Sequence, residues 1–464
     1  MHLKKTRRST QASLLPILLC VSAQCLSAPI ASHAAQAQTG APIPLTLAQA
    51  IDLALAQNRS LKLARLAVTD SEHKKDIARS DYFPHIKNES SLLHVTELAG
   101  VKIPAGAFGV PPETGPIPAH NLVLDQGSLT TYTSGTGLAQ PLTQMFKIHE
   151  SNRAATADVD TAKIQVNGAE NEIALKVRQL YYSLLIAQSR LQAATAEVSA
   201  TQVKAQESTD AVAQGRSLEV VELENRAALL DAKQTELTQN LQIHDLTLAL
   251  DDLLGLPLNS QLQLEADTQA ALIITPGREE CIRIAQEQSP ETRAARQAVV
   301  KAQAGLKAAE DAYIPDVTGL ARYSYQSGVP LLVHNFGTFG FTLTYDLFDG
   351  GHRNGEIRDS RTLLSQAELN LAKIEDEVTV QVETSYDKVE QLRNMVGVAD
   401  EALAVRTEAA RLADRQFEQN AALASAREEA HAKAASAKAS YLEATLVLSL
   451  AQSELQRTIG QLPR

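Results

Sequence analysis

The chain is written twice over. Gln57, Ala64, Arg65, Ala67, Val68, Tyr82 and Pro84 recur as Gln288, Ala295, Arg296, Ala298, Val299, Tyr313 and Pro315, at a constant offset of 231 residues. A second block recurs at an offset of 205: Leu142, Arg153, Val177, Tyr181, Leu218, Lys233, Leu241 and Gly255 return as Leu347, Arg358, Val382, Tyr386, Leu423, Lys438, Leu446 and Gly460. The offsets differ by 26, so the first copy carries a 26-residue excess between Pro84 and Leu142. That stretch is dense in Gly and Pro, from Gly100 through Pro118. It reads as a surface loop, where extra length costs little closure entropy. Repeat one runs over 45–257, a linker over 258–276 edged by Pro257 and Pro276, and repeat two over 276–464.

Residues 1–37 read as an export signal. Lys4, Lys5, Arg7 and Arg8 precede an apolar run from Ala12 to Val21, and Ser32-His33-Ala34 or Ala35-Gln36-Ala37 offers a cleavage site. The run is shorter than the ~20 residues a membrane-spanning helix takes. Cys20 follows Leu19 and Cys25 follows Gln24, a poor context for lipidation. Only Cys281 remains beyond the leader, so no intramolecular disulfide is expected. No later run of ~18 apolar residues exists, which leaves a soluble protein or a β-barrel. A net charge of −11, becoming more negative once the leader's four cations leave, argues against a nucleic-acid partner.

Each repeat reads as helix, strand pair, long helix, helix. The first long helix carries a heptad seam at Ile173, Val177, Leu180, Leu184, Ala187, Leu191, Ala194, Val198, Ala205 and Val212. The second matches it at Val378, Val382, Ser385, Val389, Leu392, Val396, Ala399, Leu403, Ala410 and Phe417. A helix from Lys147 to Ala213 spans ~100 Å at 1.5 Å per residue. The return helix, about 217–254, covers part of it, and the opening helix, about 45–81, has the length to cover the rest if the two stack end to end. The helical hairpins are expected over about 147–254 and 352–460.

The strand pairs, about 85–142 and 316–349, begin where Pro84 and Pro315 stop the opening helices. Phe339, Phe341, Leu343, Tyr345 and Leu347 alternate with Gly340, Thr342, Thr344 and Asp346. Ala321, Tyr323 and Tyr325 alternate with Arg322, Ser324 and Gln326. Seven of the eighteen aromatic residues fall between Pro315 and Gly350. A period of two with one aromatic face suits a sheet between lipid and water; a small soluble sheet packed on helices would alternate too. Four strands cannot close a barrel alone, so the membrane reading requires oligomerisation.

These residues resemble the TolC-like outer-membrane efflux channel family over nearly all of the chain beyond the leader. The likeness rests on the duplicated order and on motifs that each occur twice. Tyr82-Phe83-Pro84 and Tyr313-Ile314-Pro315 enter the first strands. Gln140-Pro141-Leu142 and Asp346-Leu347-Phe348-Asp349-Gly350-Gly351 leave the second ones. Leu254-Gly255-Leu256-Pro257 and Ile459-Gly460 end the repeats. The resemblance implies a mainly α fold with a β-barrel part: as a homotrimer, a twelve-stranded barrel in outer-membrane lipid on a twelve-helix periplasmic tunnel. It implies as partners a periplasmic adaptor and an inner-membrane transporter, in efflux or type I secretion, with no enzymatic activity and no cofactor.

The resemblance places adaptor contact and the periplasmic gate at the hairpin tips. In repeat one the tip is Gly215-Arg216-Ser217-Leu218-Glu219, with Glu222 one turn on. Gly215 suits a left-handed cap and Ser217 can N-cap the return helix. In repeat two the tip is Asn420-Ala421-Ala422-Leu423, and Asn is the next-best left-handed residue. The family's acidic gate ring would fall near Ala424 and Arg427, so this chain departs from that pattern and carries its tip acids, Glu219 and Glu222, in repeat one. Arg427 is expected to pair with a neighbouring Glu.

Other chemistry is sparse. The eleven His show no metal-binding helical spacing with a carboxylate nearby. Gly337-Thr338-Phe339-Gly340 reads as strand glycine, not a phosphate loop. Cys281 reads as an inert core residue, and Glu428-Glu429 and Asp251-Asp252 as solvated helix faces. A periplasmic coiled-coil adaptor, or a structural protein without a channel, is the competing reading. An adaptor would fold back around one hairpin without a tandem repeat, and a coiled-coil protein needs no amphipathic strand pairs.

Overall fold

The computed structural model describes residues 43–98, 100–124, 127–258, 260–265, 276–328 and 333–462. The expected export signal, residues 1–37, lies outside the described residues, as does most of the linker.

The opening helix of each repeat is two helices. In repeat one, α1 (Leu47–Gln57) and α2 (Arg59–Ser80) meet at Asn58. Asn58 takes an extended ψ of 127°, and its Oδ1 accepts from the Leu61 N–H at 3.2 Å. Thr46 and Gln49 form a capping box ahead of α1. Repeat two breaks at the matching residue: Ser289 ends α5 (Arg278–Gln288), caps α6 (Pro290–Glu310) through Thr292 at 3.1 Å, and precedes a Pro that cannot donate. The single opening helix read from the sequence is therefore corrected. The apolar period continues through both breaks and hides them.

Four principal strands follow these helices: β2 (His85–His94) and β5 (Thr130–Pro141) in repeat one, β7 (Asp316–Ser327) and β8 (Asn335–Thr344) in repeat two. They form one antiparallel sheet in the order β2-β5-β7-β8. The ladder ends at Thr344, so Tyr345 to Asp349 lie beyond the strand assigned from alternation. The excess in repeat one forms its own hairpin, β3 (Val101–Ile103) with β4 (Leu122–Leu124). Two three-residue strands, β1 (Ile43–Leu45) and β6 (Leu262–Leu264), pair in parallel across the repeat and its linker. The buried Tyr181 hydroxyl lies 2.8 Å from the Leu45 carbonyl and 2.7 Å from that of Glu265, tying both strands to the helices.

The long helices are α3 (Met145–Ala213) and α7 (His352–Glu418), returning as α4 (Glu219–Leu254) and α8 (Ala424–Thr458). Every seam position named above is buried or half-buried. The helix α2 runs along the first third of α3, through Lys163–Glu72 at 3.3 Å and Arg65–Glu170 at 3.0 Å. The last third belongs to α4, through Thr195–Glu236 and Thr209–Glu222, both 3.0 Å. Two shorter segments do succeed one another along one long helix, and the opening one comes in two pieces, α1 and α2, both packed on α3. Around the layer the order is α4, α3, α8, α7 toward the tips and α2, α3, α6, α7 toward the sheet. The core sits where α1 and α5 pack on the long helices. One cluster gathers Ile51, Leu61, Val177, Tyr181 and Leu254; its counterpart gathers Cys281, Ile284, Val382 and Leu455.

Candidate functional site

The sheet has two chemically distinct faces. Because side chains alternate, the register puts Ile86, Leu138, Ala321 and Phe339 on one face, together with Tyr132, Tyr323, Tyr325, Phe341 and Leu343. The Tyr132 and Tyr325 rings lie 6.0 Å apart there. Phe339 is 91% and Phe341 79% exposed, so no helix of the described chain covers this face. Among the described residues the sheet is therefore not packed on helices of its own chain through this face. The other face carries Lys87, Glu89, Arg322, Gly135, Gly137 and a series of Thr residues.

Below the sheet, the Asp-Leu-Phe-Asp-Gly-Gly motif builds the start of α7. Asp349 accepts from the Gly351 N–H at 2.9 Å, the Arg353 N–H at 3.1 Å and the Arg353 guanidinium at 2.8 Å. These backbone and side-chain bonds hold its carboxyl at about 2. Arg353 sits 4.8 Å from the Tyr345 ring centre and 5.4 Å from that of Tyr313, joining motifs from both ends of the second strand pair.

At the opposite end lie the tips. Gly215 takes φ +67° and Asn420 φ +53°, as their residue types led us to expect. Both close a Schellman motif. The Arg216 N–H bonds the Ala211 carbonyl and the Gly215 N–H that of Val212; Ala421 to Gln416 and Asn420 to Phe417 repeat it. Ser217 does not cap the return helix. The N-cap position falls on Leu218, and in repeat two on Leu423, neither with a side-chain cap. Both leucines are exposed, at 74% and 68%. Carboxylates gather at both helix starts instead. Glu219 and Glu222 stand in the first turn of α4, where the helix dipole favours negative charge. For α8 the carboxylate comes from the other repeat: Glu207 of α3 accepts from the Ser425 N–H at 3.1 Å. That bond sets the two tips side by side, a link no local sequence signal announces.

Arg427 pairs with Glu428, as expected, and its guanidinium lies 4.5 Å from the Phe417 ring centre. Arg216 bonds Gln214, and Ala422 is half-buried. The reading of Glu428 and Asp251 as solvated is corrected. Glu428 is held by Arg427, while Asp251 is fully buried and accepts from the Ser260 N–H at 3.0 Å. Cys281 is fully buried, and burial raises its thiol. Among the described residues no cluster of three His, Cys, Asp or Glu could hold a metal ion.

The family model described as "Outer membrane efflux protein" matches residues 50–256 and 281–461, one segment per repeat. Comparison with curated proteins finds no match. Among solved structures the chain resembles the outer-membrane channel CmeC of Campylobacter jejuni, at 15% identity and TM-score 0.69, covering 89% of this chain and 85% of that one. It resembles VceC of Vibrio cholerae at 14% identity and TM-score 0.69, covering 89% and 96%. The open state of the Neisseria gonorrhoeae MtrE channel matches at 18% identity and TM-score 0.70, covering 89% and 88%. The chain belongs to the outer membrane efflux protein family and is a protein of the outer membrane.

Proposed function

We propose that three copies close edge to edge into a channel, serving an inner-membrane transporter through a periplasmic adaptor in efflux or type I secretion. The observation that carries this is the pair of unsatisfied edges. Among the described residues β2 and β8 each have a free side, so three four-stranded sheets would make a twelve-stranded barrel with its aromatic face to lipid and its charged face to water. The edge helices match. Leu223, Leu230 and Leu237 form an exposed heptad stripe on α4, and Val398, Val405 and Leu412 form one on α7. Neither stripe has a partner within the described chain, and joining α4 of one copy to α7 of the next covers both.

In this arrangement the helices form a periplasmic tunnel. The tips at Gly215–Glu222 and Asn420–Arg427 are its adaptor contact and gate, held by Arg427–Glu428 and Glu207–Ser425 instead of an acidic ring in repeat two. The β3–β4 insert, at the sheet end away from the helices, is extracellular. Purified protein reconstituted in planar bilayers tests the reading. Discrete conductance steps from a heat-resistant trimer of the outer-membrane fraction are expected; a soluble monomer without conductance would overturn it.

A further inference from the structure

The water-facing side of the sheet is not evenly charged. The ladder places Lys87 opposite Gly137, and Gly137 opposite Arg322, so two cations share one register row, two strands apart, or ~10 Å. The glycines between them leave the surface flat. An atom at the Cβ position of Gly135 would lie 2.5 Å from Arg322 Nη2, so the guanidinium rests where any larger residue would stand. One carboxylate answers both cations: Glu89 is 2.7 Å from Lys87 and 3.7 Å from Arg322. The remaining ionisable groups on this face, His85 and Asp316, sit at its helix end, and Asp316 is 3.5 Å from Lys147. The row therefore carries one excess positive charge per copy in a chain whose formal charge is −11.

We infer that Lys87 and Arg322, with Glu89 as their partial counter-charge, form an anion-selective belt inside the barrel. Its ligands are anionic groups of passing solutes, such as carboxylates, sulfonates or small inorganic anions. The inference rests on the proposed trimeric barrel, which would repeat the row three times around the lumen. Rings of like charge set selectivity because they concentrate counter-ions within a Debye length. Gly135 positions the belt by letting Arg322 lie across the strands.

The test is the reversal potential of the reconstituted channel across a KCl gradient at low ionic strength, where screening is weakest. The wild type is expected to pass Cl⁻ more readily than K⁺. Combining Lys87→Gln with Arg322→Gln lowers that permeability ratio by about twofold or more, and Glu89→Gln raises it. Lys87 is well exposed, so Lys87→Gln alone carries the test if the Arg322 variant fails to assemble as a heat-resistant trimer. Normal conductance with a ratio that ignores all three positions, or a cation-selective wild type, overturns the belt. Absence of any conductance instead sinks the barrel reading beneath it.

Discussion

Replacing Gly460 by Ala should cost more than replacing Gly215, although both close the same helix-ending motif. Gly215 has φ +67° and Gly460 φ +76°, so either alanine meets the strain of a left-handed L-residue, about 1–2 kcal/mol. The difference is what the new methyl touches. At Gly215 nothing lies within 4 Å. At Gly460 the methyl would lie 2.6 Å from the Gln288 carbonyl oxygen and 2.9 Å from its carbon. Both are backbone atoms at the α5–α6 break and cannot swing aside, so overpacking adds about 1–3 kcal/mol. The totals are about 1–2 kcal/mol for Gly215→Ala and about 2–5 kcal/mol for Gly460→Ala. Urea unfolding of the detergent-purified variants, followed by far-UV circular dichroism, reads the difference as a shift in midpoint. Equal losses, or a larger one at Gly215, would refute the argument that the end of α8 is locked against the break between α5 and α6.

Three further outcomes follow from the site geometry. Asp349 has its carboxyl held at about 2 against an ordinary 3.8, so its contribution is complete above pH 4 and is lost as pH falls toward 2. In thermal melts Asp349→Asn should be destabilised at neutral pH and converge on the wild type at the acid end of that window; a constant gap at every pH would contradict the cap. Arg427→Glu removes the pairing with Glu428 and the stacking on Phe417, and should open or destabilise the gate proposed at the tips. Unchanged conductance and drug sensitivity would count against it. An epitope inserted after Gly109, in the β3–β4 insert, should be labelled by antibody on intact cells, and labelling only after lysis would place the insert elsewhere.

Much of this architecture is legible because it is periodic or repeated. The heptad seams locate α3 and α7, the period of two locates β7 and β8, and the paired motifs fix both tips, since Gly215 and Asn420 supply the one backbone state a Schellman turn needs. The opening helix fails for a physical reason. The caps at Asn58 and Ser289 are single polar residues inside an unbroken apolar period, although Ser289-Pro290 is a readable start signal. The β1–β6 pair is not legible at all: three residues on each side, far apart in sequence, carry no local pattern. Nor is the Glu207–Ser425 bond, which exists only because α3 packs on α8. Ser217 shows propensity yielding to context, since the turn ends one residue later and the exposed Leu218 takes the cap position.

In the proposed trimer α4 of one copy meets α7 of the next. The 205-residue repeat maps the Arg190–Glu443 contact of α3 with α8 onto Met395 of α7 and Thr238 of α4 in the next copy, so the exposed Leu237 and Met395 would meet there, with α3 and α8 between them in one chain. An intramolecular disulfide between those positions would need a Cα separation below ~7 Å, which two intervening helices forbid. Cys281, the one cysteine among the described residues, is buried and does not compete. A chain carrying Leu237→Cys and Met395→Cys, oxidised in the outer membrane, is predicted to run as covalent dimers and trimers, while each single variant stays monomeric on a denaturing gel. A double variant that remains monomeric after complete oxidation would contradict the edge-to-edge trimer.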